Sequence, residues 1–219
     1  MTTRRTFIAA GAALAASGDA LAAAADPQAD PEHSAAPFDL AALMARLNEP
    51  ASHKQVFAVA RISDGSVVHY MRNSLDGYEK GFGEPPGALH VAAVFYARGV
   101  ALAVDDFAWR TYKIADALKK EGELITSPQR DANPYWRTLE GENSLEALQK
   151  RGALYLACNN ALHGLAGTLS LAGGSTQQAD AIYVDLRRHL LPGTLLVPAG
   201  VAALNAAQEA RYTYLQASL

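Results

Sequence analysis

The stretch Gly152-Ala-Leu-Tyr-Leu-Ala-Cys-Asn-Asn-Ala-Leu-His-Gly164 decides how the rest of the chain is read. Leu154, Tyr155, Leu156 and Ala157 form a short apolar run behind a glycine, the pattern of a buried strand. Beyond Asn160 the small and apolar residues continue as a helix. Cys158, the single cysteine of the chain, therefore stands between the carboxyl end of a strand and a helix start. In open α/β sheets ligands bind at that edge.

Working outward, the same alternation recurs. Residues 55–62 (QVFAVARI) and 88–96 (ALHVAAVFY) are apolar runs of the kind covered on both faces of a sheet. Residues 194–197 and 212–215 add a fourth and a fifth strand. Between them, Val67, Met71, Leu75 and Tyr78 stripe one helix, and Ile182, Leu186 and Leu190 stripe another. Asp39 caps a helix carrying Leu40, Leu43, Met44 and Leu47; a single helix is expected over 107–120, and Ser144 caps another over 145–151. Ser175 and Gln178 have capping-box spacing, and Val201, Leu204 and Asn205 begin the last helix. Strands alternating with helices predict a three-layer α/β domain of the flavodoxin-like or Rossmann-like class. Its five-stranded sheet is mainly parallel, with helices on both faces and right-handed crossovers.

Residues 122–143 are irregular, with Pro128, Asn133-Pro134 and the aromatics Tyr135 and Trp136. A loop of this length serves as a lid, an oligomer contact or a mobile segment. With Arg130 and Arg137 it could present cationic and aromatic groups to an anion, or pack on a neighbouring subunit.

The chain has 219 residues, half of them hydrophobic, enough for one domain with a substantial core. A formal net charge of −3 offers no basic field for nucleic acid. One cysteine excludes an internal disulfide and a cysteine-rich zinc site. Arg4-Arg5 followed by Phe7-Ile8 and an alanine-rich run reads as a twin-arginine export signal over residues 1–25, with a general alanine-rich leader as the alternative. Residues 26–37, proline-bearing, form a flexible linker, and residues 38–219 form the domain. Export by the twin-arginine machinery places the folded protein in the periplasm.

Cys158 is the candidate reactive group. At a helix N-terminus a thiolate is stabilised by the helix dipole and by free N–H groups; the competing role is that of a small buried hydrophobe. Asn159 and Asn160 stand ready to cap the helix or orient a ligand. His163 falls about 140° around the helix from Cys158, so the two do not form a neat pair. Ala97, Arg98 and Gly99, after the second strand, make another ligand-facing loop. His69, His90 and His189 lack metal-ligand spacing, and no P-loop, Gly-x-Gly-x-x-Gly or Gly-x-Ser-x-Gly pattern occurs. Neither metal nor cofactor is expected.

The cysteine after the third strand, together with Leu195-Leu-Val-Pro-Ala-Gly-Val-Ala-Ala-Leu-Asn205, Gln208 and Tyr212-Thr-Tyr214, resembles the DsrE/DsrF-like family, in particular its exported, twin-arginine-tagged members. The resemblance spans residues 55–215. It implies a flavodoxin-like domain that assembles into trimers or hexamers. In the sulfur-relay members the matching cysteine carries a persulfide from a donor to an acceptor protein, which would make Cys158 a sulfur carrier. The alternative is a non-catalytic oligomeric module holding a small ligand near Cys158 and residues 97–99.

Overall fold

The computed structural model describes residues 38–137, 143–172 and 178–217. The export signal and linker read in residues 1–37 lie outside them, as does Ser175 of the capping box.

Five strands make one all-parallel sheet in the order β4-β3-β2-β1-β5. They are β1 (His53–Val59), β2 (Leu89–Phe95), β3 (Leu154–Cys158), β4 (Leu195–Val197) and β5 (Thr213–Gln216). β2 and β3 are buried along their whole length, as expected of strands covered on both faces. β5, at one edge, is exposed throughout. The expected three-layer α/β architecture is therefore the one found.

Alternate residues of each strand feed two cores. Phe57, Ala93, Phe95, Tyr155 and Ala157 point to a large core. There they meet α2 (Ser66–Asp76), the 3₁₀ turn Ala97–Ala103, α5 (Leu145–Lys150), α6 (Asn159–Leu171) and α7 (Ala179–Arg188). Val56, Ala58, Val94, Leu154 and Leu156 point the other way, to α1 (Leu40–Leu47) and α8 (Gly200–Glu209). The first four strands are laid side by side, and α8 alone carries the chain back across the sheet to β5.

Several elements differ from the sequence reading. The single helix expected over 107–120 is two, α3 (Asp106–Thr111) and α4 (Ile114–Lys120), because Lys113 adopts a left-handed φ of 49° that breaks the hydrogen-bond ladder. α2 runs on into a π-helical turn, Gly77–Gly81. Among the described residues of the irregular loop, 122–137 and 143, Tyr135 and Trp136 are buried in the larger core. Tyr135 donates its O–H to Asp64 (2.9 Å), and Glu123 accepts the Ile62 N–H (2.8 Å). Burial opposes ionisation of Asp64, but hydrogen bonds from Thr126 and Tyr135 outweigh it and hold the carboxyl below its ordinary range. Arg130 and Arg137 pair with Asp116 and Glu146. The segment is a structural strap across the β1–α2 junction. Among the described residues no helix is long and apolar enough to cross a membrane.

Candidate functional site

The chain leaving β3 turns into α6 on one face of the sheet, whereas the chain leaving β4 turns into α8 on the other. Between these two strands the connections part, which makes their carboxyl ends the topological switch point of the sheet. Cys158 is the last residue of β3 and pairs there with Val197 of β4. The sequence predicted the edge; the strand order makes it a switch point between β3 and β4.

Cys158 itself is the N-cap of α6, the role expected of Asn159 or Asn160. Its Sγ accepts the Ala161 N–H at 3.4 Å, since its extended backbone (φ −74°, ψ 118°) swings the side chain over the first turn. The thiol is 5 % exposed. Its wall is made by α8: a methyl group on Gly200 would lie 3.3 Å from Cys158 Cβ and 2.6 Å from Tyr96 Cβ. Ala199, preceding Gly200, offers no side-chain cap to the start of α8. The starts of two helices thus meet at Cys158, and a helix start carries positive partial charge. Gly200→Ala is expected to destabilise the protein by ~1–3 kcal/mol through overpacking against Tyr96. Urea denaturation checks it; an unchanged midpoint would mean that Tyr96 and Cys158 yield freely.

Tyr96, just past β2, is half-buried on this same face. Burial, and then the neighbouring Tyr214 phenol of β5, push the Tyr96 phenol up, so the Tyr96 ring stays neutral at physiological pH. Tyr214 donates to Gln216 Oε1 at 2.6 Å. Gly200 and Tyr214 fall within the motif that carries the family resemblance, but neither they nor Tyr96 were given a role in the site from the sequence. The signal that could have found Gly200 is the Pro198-Ala-Gly turn at a strand end; nothing local marks Tyr96, which is brought in by strand order.

The other expected site residues are distributed differently. Asn159 accepts the Tyr183 O–H at 2.6 Å, and the His163 ring stacks on Tyr183 with centroids 3.4 Å apart. Both therefore fasten α6 to α7. Asn160 is exposed on the first turn of α6. Ala97, at φ 46°, and Arg98 are exposed, and Arg98 pairs with Glu121 at 2.9 Å. Gly99 is buried against β1, where a methyl group would sit 2.2 Å from Val59 O. It serves backbone packing and presents nothing to a ligand.

Two open cavities lie elsewhere on the same edge, beside the start of α2. One of about 260 Å³ is lined by Asp64, His69, Thr126 and Tyr135 among others, and one of about 220 Å³ by Arg61, Ser63, Ser66 and Leu124. Among the described residues, no three His, Cys, Asp or Glu side chains gather to hold a metal ion.

No protein-family model and no curated protein matches the chain. Among solved structures the chain is similar to a protein of unknown function from Methanobacterium thermoautotrophicum, at 16% identity and a TM-score of 0.39, over 75% of this chain and 98% of the other.

Proposed function

We propose that the protein carries sulfur as a persulfide on Cys158. The observation that supports this is the position of the thiol: at the switch point of the sheet, capping α6 and walled by the uncapped start of α8. In the transfer step the Cys158 thiolate attacks the outer sulfur of a donor persulfide, or of thiosulfate. The donor's S–S bond breaks and its electron pair leaves on the donor thiolate, or on sulfite. A new Sγ–S bond forms, and an acceptor thiolate later repeats the step in reverse. No net oxidation occurs, so no cofactor enters. Negative charge on the outer sulfur of the loaded carrier would be favoured by the positive ends of α6 and α8.

Assembly into trimers or hexamers, and delivery to the periplasm by the twin-arginine machinery, belong to the same reading. They rest on the family resemblance and on residues 2–25. Mass spectrometry of the purified protein after exposure to thiosulfate or polysulfide tests the chemistry. The expected result is a gain of one sulfur atom that is released by dithiothreitol and absent from Cys158→Ser. No gain under conditions that load an established persulfide carrier would exclude the proposal.

A second reading, a small-ligand-binding module without sulfur chemistry, draws on the two cavities beside α2, whose lining includes neither Cys158 nor residues 97–99, where the sequence placed the ligand. It requires ligand binding that is unchanged in Cys158→Ser.

A further inference from the structure

At the opposite, amino-terminal end of the sheet, four elements meet around one imidazole. His90, the second residue of β2, is 8 % exposed. It lies opposite Lys54 of β1. Its Nδ1 is 2.8 Å from the hydroxyl of Tyr212, which joins α8 to β5 and is 3 % exposed. Its Nε2 is buried without a hydrogen-bond partner, and the carboxylate of Glu49, just past α1, is 3.8 Å away.

These positions choose the tautomer. With a bare lone pair on Nε2, the ring would turn electron density toward the Glu49 carboxylate. With the proton on Nε2, Nδ1 is free to accept the Tyr212 O–H. The second arrangement satisfies the buried hydroxyl and places N–H toward the carboxylate. Adding a second proton to the ring undoes it. Nδ1 becomes a donor, so the hydroxyl must turn to accept from it, and its own proton is left to find another acceptor where water has little access.

The charges facing the ring do not compensate for this. Glu49 is half-exposed and shared with Arg46 at 2.9 Å. The Lys54 ammonium lies 5.3 Å from the centre of the Tyr212 ring and is bonded to Leu47 O at 2.8 Å. Two cations and one anion therefore surround the imidazole. Burial first, then Arg46 and Lys54, hold the His90 imidazolium below its ordinary value near 6.5, against the pull of Glu49. Tyr212, pushed up chiefly by burial, stays a neutral phenol throughout.

We infer that His90 is a pH-operated latch: neutral, it holds Tyr212, and with it the α8–β5 link, onto the base of the sheet; protonated, it lets that link go. The sign follows from linkage. The opened form takes up the proton at the ordinary histidine value, the closed form only at lower pH. The latch is therefore fully closed above the ordinary value and weakens as pH falls below it. Its range extends along α8, because the helix that ends at Glu209, just before Tyr212, begins at Gly200, against Cys158. The latch rests on hydrogen bonding at the base of the sheet and not on sulfur chemistry, so the two can fail separately.

Amide hydrogen exchange on the full chain, corrected for the intrinsic pH dependence of exchange, tests it. Between about pH 7.5 and about pH 5 the opening equilibrium of the 212–216 amides is expected to rise by up to ~10-fold per pH unit. In His90→Gln, which cannot titrate, the rise should disappear while the other histidines remain. An equal rise in both proteins overturns the latch. Should His90→Gln fail to fold, NMR titration of the imidazole C–H signals in the native protein decides alone. A His90 midpoint below the ordinary histidine value supports the latch, and one at or above it overturns it.

Discussion

Gly99→Ala is expected to destabilise the protein by ~3 kcal/mol or more, the upper end of the range for overpacking a core. The added methyl would lie 2.2 Å from Val59 O, 2.9 Å from Val59 C and 3.2 Å from Ala60 C. All three are backbone atoms at the carboxyl end of β1, so no side-chain rotation relieves the collision. The 3₁₀ turn is clamped there by the Gly99 N–H to Ala60 O and the Tyr96 N–H to Val59 O, both at 3.0 Å. Moving it outward breaks those bonds and loosens Val100, Ala101, Leu102 and Ala103, which are fully buried. Urea denaturation should show a large fall in the midpoint with little change in slope. A midpoint equal to that of the native protein would mean that the turn can slide away from β1 without cost.

Asn133→Ala is expected to have a comparable effect for an electrostatic reason. The side chain is 2 % exposed and works as a staple. Its amide donates to Leu102 O (3.0 Å) and Val104 O (2.8 Å), while its Oδ1 accepts the Tyr135 N–H (3.1 Å). Truncation leaves three buried backbone groups unpaired. At ~1–3 kcal/mol for each orphaned group, and with partial relaxation, a loss of ~3 kcal/mol is expected. For a chain of this size that lowers the melting temperature by about 6–12 °C. Asn133→Asp should be worse, since it keeps the acceptor, loses both donors and buries a charge. Calorimetry that ranks Asp above Ala would contradict the staple.

The two sites also mark what sequence can and cannot reveal here. The strands were legible because β2 and β3 are covered on both faces, which forces unbroken apolar runs such as residues 88–96 and 154–157. The place of Cys158 was legible for the same reason, since the run stops there. Its role as the cap was not, because cysteine is an uncommon capping residue and two asparagines follow it. Residues 100–104 are too short and uniformly apolar to distinguish helix from strand, and they prove to belong to a buried turn. The break at Lys113 leaves no trace in composition, since a left-handed lysine has no sequence signature. The strap over 122–137 looked like an open loop because its buried contacts come from Asn133, Tyr135 and Glu123, residue types that are usually exposed or amphipathic. Strand order, which brings Gly200 and Tyr96 to the thiol, is a long-range property that no local pattern encodes.

The winding of the sheet also bears on how the chain matures during synthesis. β1 pairs with β2 on one side and with β5 on the other, through Gln55↔Thr213 to Ala58↔Gln216. The Ala217 N–H and carbonyl are then tied to Ala58 O and to the Ser66 hydroxyl. The first strand to leave the ribosome therefore keeps one row of hydrogen-bonding groups vacant until residues 213–217 have emerged. β1 to β4 can associate as each is made, but the β1 edge remains a template for a foreign strand throughout that interval. Closure is the slow, non-local step of this topology.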